Sequence, residues 1–294
     1  MISNFEYVKA FYYVAKTGSV TKAAGELSIS QPAVSQAIKQ LESGLGVRLI
    51  QRASRGIKLT REGSELFSYV EKGYEEMEKG FERVQKMQSL ELGEIRIGAS
   101  DMTLQFYLLP YLEKFHELYP QIKVVVTNAP TPETLDYLRK GRIDFGIISS
   151  PFQCGDDIKS VSVKEIEDVF VAGRRFISYK NRTLDFADLS DMPLIFLEGH
   201  TSTGNYMRDF LQRNGCDVRP EFELATSDMI VQFALRSLGV GCVMRDFAKG
   251  YIDSGQLFEL RFNKMIPKRN ICVVKAARQE LPAAAAKIFE IMNI

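Results

Sequence analysis

Two amphipathic helical patterns separated only by Ser28-Ile29-Ser30 constrain the fold of this chain more than any other feature. A turn that short forces its helices into a helix-turn-helix. Upstream, Ser19 can cap a helix running to about Leu27, and its small residues Ala23, Ala24 and Gly25 let a neighbour approach closely. Downstream, Ser30 is a good N-cap and Pro32 suits a first helical turn. Val34, Ile38, Leu41 and Leu45 then recur at i, i+4, i+7 and i+11, one face of a helix that ends near Gly46. The opposite face holds Gln31, Ser35, Gln36, Lys39 and Gln40, and its only carboxylate, Glu42, stands at the far end. A solvated face usually alternates Glu with Lys. Amides, a hydroxyl and one cation instead suit a helix laid N-terminus first in a DNA major groove, where they meet base edges and phosphates. Gln31, Pro32, Ser35 and Gln36 are expected to face bases, and Lys39 a guanine or a phosphate.

The surroundings of this pair agree. Phe5, Val8, Phe11, Tyr12 and Ala15 mark an earlier helix ending near Thr17-Gly18. After the pair, Leu49-Ile50 and Ile57–Leu59 flank a segment carrying Arg52 and Arg55, a hairpin with a basic tip. Beside a reading helix, such a wing straddles the phosphate backbone or enters the minor groove. Residues 1–60 hold eight Lys/Arg against three Asp/Glu, although the whole chain has a net charge of only +1. A basic head on a near-neutral body indicates that only the head meets a polyanion.

Residues 61–89 contain no proline and keep helical periodicity throughout. Thr60 can cap this helix, although Gly63 replaces the Glu of a full capping box. A seam runs through Gly63, Leu66, Val70, Gly73, Met77, Gly80, Val84 and Met87, with Tyr74 and Phe81 beside it. This register predicts a coiled-coil-like dimer through Leu66, Val70, Met77, Phe81 and Val84. Gly73 and Gly80 predict that something packs close against them.

From Gly93, strands rich in Val and Ile alternate with helical stretches. GEIRIGAS, IKVVVTNA and FGIISS read as strands around two helices, the first of which Pro110 kinks or delimits. PLIFLE, EFELAT and VGCVMRD repeat the arrangement, and NICVVKAA with LPAAAAKIFEIM completes the first set. These βαβ units predict parallel sheets in two subdomains enclosing a cleft. Ligands in such folds bind beyond the carboxyl ends of strands. Those points carry Ser100, Asp101 and Thr103; Asn128; Ser149; Thr201, Ser202 and Thr203; and Ser227. Hydroxyls and free backbone N–H groups suit a carboxylate or small oxyanion, whereas Asp101 would prefer an amine; an amino-acid-like effector reconciles the two.

Other classes find little support. There is no GxSxG, no Walker loop, no GxGxxG after the first strand, and His200 is the sole nearby base candidate. The two histidines are too few for a multi-histidine metal site, and the cysteines Cys154, Cys216, Cys242 and Cys272 form no CxxC pair. Buried reduced thiols are expected, and no cofactor or metal. No run of eighteen apolar residues predicts a membrane span. The N-terminus lacks the basic start and cleavage site of a secretory signal. Both points suggest a cytoplasmic protein rather than a solute-binding component of a transporter.

The stretch FYYVAKTGSVTKAAGELSISQPAVSQAIKQLESGLGVRLIQR, followed by LTREG, GEIRIGAS, YLLPYLEKF and GRIDFGI, closely resembles the LysR-type transcriptional regulators over essentially the whole chain. The resemblance implies a multidomain α+β and α/β architecture. A winged helix-turn-helix would occupy 1–60, a linker helix 61–89, and a periplasmic-binding-protein-like effector domain 93–294. The latter would divide into subdomain I, about 93–161 and 268–294, and subdomain II, about 162–267. It further implies a homodimer or homotetramer on an interrupted palindrome of promoter DNA. A small organic acid, amino acid or oxyanion would be the effector, and RNA polymerase a partner. The chain departs from the family pattern before YLLP, where Ser100–Leu104 is one residue longer.

Overall fold

The structure is a computed structural model that describes residues 4–53, 56–199 and 201–294. Arg55 of the wing and His200 lie outside the described residues. The chain divides into two compact units, Met1–Gln85 and Lys86–Ile294.

The first unit contains α1 (Phe5–Thr17), α2 (Val20–Leu27), α3 (Gln31–Leu45), β1 (Ile50–Arg52), β2 (Ile57–Leu59) and most of α4 (Arg61–Gln88). Asn4, Ser19 and Ser30 cap the first three helices through their side-chain oxygens. Ser28 and Gly46, at φ 54 and 72, end α2 and α3 in the left-handed region. Phe11, Val14, Ala23, Val34, Ile38 and Leu49 form the core. Leu45, expected on the buried face, is 51% exposed, because the last turn of α3 runs past the core's edge. The wing strands pair antiparallel with Ile50 opposite Leu59, and Ile57 N–H donates to the Gly18 carbonyl at the end of α1.

Thr60 starts α4 by accepting from Gly63 N–H at 2.9 Å while donating to the Arg48 carbonyl at 2.7 Å. Gly63 itself belongs to the head and not to a dimer seam. A Cβ there would lie 2.0 Å from the Leu49 carbonyl oxygen. Tyr74 stacks on Tyr12 at 4.2 Å between centroids, and Phe67 meets Phe11 edge-on at 6.4 Å. Leu66, Phe67 and Val70 are half-buried against this core. From Glu75 to Ser89, by contrast, every residue is exposed. Gly73 and Gly80 have open space where a Cβ would go, so no described residue supplies the close neighbour expected there.

The second unit opens with β3 (Gly93–Ala99), α5 (Asp101–Thr103), a π-helical turn (Leu104–Leu108), α6 (Leu109–Leu118), β4 (Ile122–Asn128), α7 (Thr131–Arg139), β5 (Phe145–Ser149) and β6 (Ile158–Ile166). A second subdomain follows: β7 (Asp168–Ala172), β8 (Thr183–Leu184), β9 (Leu194–Leu197), α8 (Ser202–Arg213), β10 (Pro220–Leu224), α9 (Ser227–Leu235), β11 (Val240–Met244), α10 (Arg245–Asp253), β12 (Phe258–Glu259) and β13 (Arg261–Phe262). Then β14 (Arg269–Ala276) and α11 (Ala283–Met292) return to the first. The two main sheets have strand orders β4-β3-β5-β14-β6 and β10-β9-β11-β7-β12.

Three details correct the sequence reading. The sheets are mixed, since β14 and β6 run antiparallel in one, and β7 and β12 in the other. Only β14 in the first sheet and β7 in the second run against their neighbours, while β6 and β12 keep the direction of the βαβ strands. The first crossing lies at Glu167 and not near 161, because β6 stays paired with β14 as far as Ile166. The long helix expected from Leu104 is interrupted, because Leu104–Leu108 form a π turn, and Pro110, in the first turn of α6, delimits that helix rather than kinking it.

Central strands β5, β7 and β11 are buried at every position, as flanked strands covered on both faces must be. One apolar cluster joins Ile97, Phe145 and Ile271 of the first subdomain to Val171, Ile195 and Ile230 of the second. The two subdomains therefore share a core along their hinge. Cys216, Cys242 and Cys272 are buried, whereas Cys154 is exposed, contrary to expectation. Among the described residues no helix is long and apolar enough to cross a membrane, and no acidic, His or Cys group could hold a metal ion.

Candidate functional site

Two surfaces meet the requirements of a site. The first is the outer face of α3. Burying Val34, Ile38 and Leu41 turns Gln31, Pro32, Gln36, Lys39 and Gln40 outward, and Ser35 is half-buried at the margin. No described residue bonds the side chains of Gln31, Ser35, Gln36 or Lys39. Arg52, exposed on β1, likewise has no carboxylate partner among the described residues. Donors and acceptors left open on a rigid, capped helix are available to a ligand without breaking internal bonds. Glu42 is not part of this face. Its Oε1 accepts from Leu49 N–H at 2.7 Å and Ile50 N–H at 3.2 Å, which ties the wing to α3. The carboxylate that looked anomalous at the helix end is consumed by backbone.

The second surface is a cavity of about 250 Å³ within the second unit, between its two subdomains. The wall from the first subdomain presents Ser100, Asp101, Asn128, Thr131 and Ser149; the facing wall presents Thr201, Ser202, Thr203, Thr226 and Ser227. Met102, Leu197, Val243, Met244 and Phe247 supply the apolar part. The long α8 and α9 both begin here, capped by Thr201 and Thr226. Asp101 accepts from Asn128 Nδ2 at 2.7 Å. Ser149 and Thr131 are 5% and 7% exposed, yet no described residue bonds either hydroxyl.

Of the effector positions expected from sequence, Ser100, Asp101, Asn128, Ser149, Thr201, Ser202, Thr203 and Ser227 line the cavity. Thr103 does not. It is fully buried, donates to the Ile147 carbonyl at 2.9 Å and accepts from Ser100 N–H at 3.0 Å. Its hydroxyl closes a capping box and has nothing left for a ligand. Sequence reasoning missed Thr131, which holds the same strand-to-helix position as the hydroxyls it did find.

It also missed Arg269, for which no sequence signal exists. Arg269 enters at the second crossing and Asp168 at the first, and the two form a bidentate pair at 2.5 and 2.7 Å with side chains 2% and 1% exposed. The remaining guanidinium nitrogen donates to the Ser150 carbonyl at 3.1 Å and to Thr203 Oγ1 at 3.2 Å. Desolvation draws the guanidinium pKa down, but the charge of Asp168 and its hydrogen bonds together outweigh it and the net direction is upward. Burial, reinforced by Asp168, pushes the neighbouring Cys242 thiol well up, so this cavity-lining cysteine is a poor nucleophile.

Comparison with known proteins gives two family matches. The "Bacterial regulatory helix-turn-helix protein, lysR family" matches residues 5–64, and the "LysR substrate binding domain" matches residues 88–293. The HTH-type transcriptional activator CmpR of Synechocystis sp. is 28% identical over 79% of this chain and 76% of its own length. Among solved structures, oxidized OxyR of Corynebacterium glutamicum aligns with a TM-score of 0.75 at 20% identity, covering 99% of this chain and 92% of that one. Full-length CbnR complexed with its target DNA aligns at 0.59 and 21% identity, covering 99% and 98%.

Proposed function

The chain belongs to the LysR family of DNA-binding transcriptional regulators, which are not enzymes, and from that premise we propose how its two surfaces divide the work. The face of α3 enters the major groove, with Gln31, Pro32, Ser35 and Gln36 toward bases and Lys39 toward a guanine or phosphate. Arg52, with Arg55 of the wing, contacts the adjacent backbone. A dimer or tetramer, joined through the exposed half of α4, places such heads on an interrupted palindrome. The inter-subdomain cavity takes a small polar or anionic effector: an organic acid, an amino acid or an oxyanion. An effector that favours one subdomain arrangement shifts the placement of the heads, and through it the encounter with RNA polymerase. The protein acts where its DNA is, in the cytoplasm.

The observation that carries this reading is the uncommitted polar face of a helix whose other face is core. A protein of the same fold, CbnR, has been solved in complex with its target DNA, which supports DNA as the ligand. The test is fluorescence anisotropy with a DNA site selected from genomic fragments, titrated against salt. The logarithm of affinity should fall linearly with that of salt, by about 0.9 per phosphate contacted. Lys39→Ala should weaken binding and reduce that slope by about one if it meets a phosphate. Ser35→Ala should alter site choice more than affinity. Flat salt response, or no effect of either change, defeats the groove placement.

A further inference from the structure

We infer that the ligand of the inter-subdomain cavity is a zwitterionic α-amino acid with an apolar side chain; this rests on the cleft being the effector site. Three observations narrow the chemistry. Arg269, the cavity's one cationic side chain among the described residues, is already neutralised by Asp168 and engaged by Ser150 and Thr203. No free cation therefore awaits a second negative charge, and a dianion would also face Asp101 across a narrow space. Next, the two walls differ in sign. Asp101 shares one carboxylate oxygen with Asn128, and its other oxygen has no described partner. The opposite wall carries the start of α8, a twelve-residue helix with no acidic residue in its first turn. The start of α9, by contrast, is occupied by its own Asp228. The α8 start thus offers the stronger anion site.

The hydroxyls of Ser149 and Thr131, on residues 5% and 7% exposed, line the cavity and are bonded by no described residue, so both stand open to a ligand. The ligand's ammonium then lies toward Asp101, its carboxylate toward Ser202 and Thr203. Its side chain lies toward Met102, Leu197 and Phe247.

The experiment is isothermal titration of the full chain with the neutral apolar L-amino acids. Two analogues of leucine and a dianion accompany them: 4-methylpentanoate lacks the ammonium, 3-methylbutylamine lacks the carboxylate, and succinate stands for a dianion. At least one amino acid should bind tenfold or more tightly than every analogue, as loss of a charged hydrogen bond costs about ten- to a hundredfold. Asp101→Asn should lower that affinity to a similar degree while leaving 4-methylpentanoate unaffected or improved. Equal or tighter binding of 4-methylpentanoate or succinate overturns the proposal, as does binding of no amino acid in the set, or an Asp101→Asn variant that binds like the parent. Filling the cavity with Ser149→Phe separates the two levels of the reading. If it abolishes binding of succinate or 4-methylpentanoate, the cleft remains the site and only the zwitterion is wrong. If binding survives, the cleft assignment falls as well. Ser202→Tyr, on the half-exposed first turn of α8, serves the same purpose should Ser149→Phe not fold.

Discussion

Arg269 and Asp168 sit 101 residues apart and meet where the chain crosses between subdomains. Two desolvated charges in such a place stabilise little as a pair, but either one alone is costly. Asp168→Asn should therefore destabilise the chain by about 3–5 kcal/mol, whereas the double change Asp168→Leu with Arg269→Met should recover most of it. Denaturant unfolding of the three variants checks this, and a mild Asp168→Asn would mean the pair is wetter than its burial indicates. Nothing in the sequence announces this pair: Arg269 looks like one more cation in KRN, and Asp168 like a loop residue between two strands. Hydroxyls at strand ends were readable because the α/β pattern fixes where strand ends converge. Thr103 was misread for the converse reason. Spacing places a residue near a site, but only the packing decides whether its hydroxyl turns toward cavity or core.

At the scale of elements, α4 is two helices in behaviour. Its first half is committed to the head. Gly63→Ala should destabilise by about 3 kcal/mol, near the upper end of overpacking costs, because the obstacle is backbone. Gly73→Ala and Gly80→Ala meet open space and should each stabilise by about 0.5–1 kcal/mol in the isolated chain. If they instead weaken self-association, a second copy packs on those glycines. The hydrogen bond shared with Tyr13, with burial, holds the Tyr74 phenol well above the ordinary tyrosine value, and burial does the same to Tyr107. A raised phenol keeps its proton in the folded chain after the unfolded chain has released it. Stability should accordingly decline as pH rises through about 10, and less steeply in Tyr74→Phe. Thermal melts over that range measure it. The periodicity of residues 61–89 revealed the helix and its stripe. It could not separate the part that serves the head from the part left open, since both use the same spacing.

For the whole molecule, the exposed stripe on the second half of α4 is the best candidate for assembly, with Phe81 71% and Val84 59% exposed. Phe81→Asp with Val84→Asp should yield a slower-associating or monomeric chain in sedimentation. DNA affinity should drop by at least about a hundredfold as two-headed binding is lost. An unchanged mass would move the interface elsewhere. The head was legible nearly residue by residue, because short helices, caps and a tight turn are encoded locally. The effector unit was legible as alternating strands and helices. Its first crossing was not: β6 and β7 pair with strands far along the chain, and sequence near Glu167 carries no trace of them. Because Gly63 rests against the Leu49 carbonyl and Tyr74 lies flat on Tyr12, the wing, α3 and the near end of α4 are held as one body. If α3 seats in the groove as proposed, a twist of the first half of α4 would re-aim it directly, with no loop between them to absorb the turn.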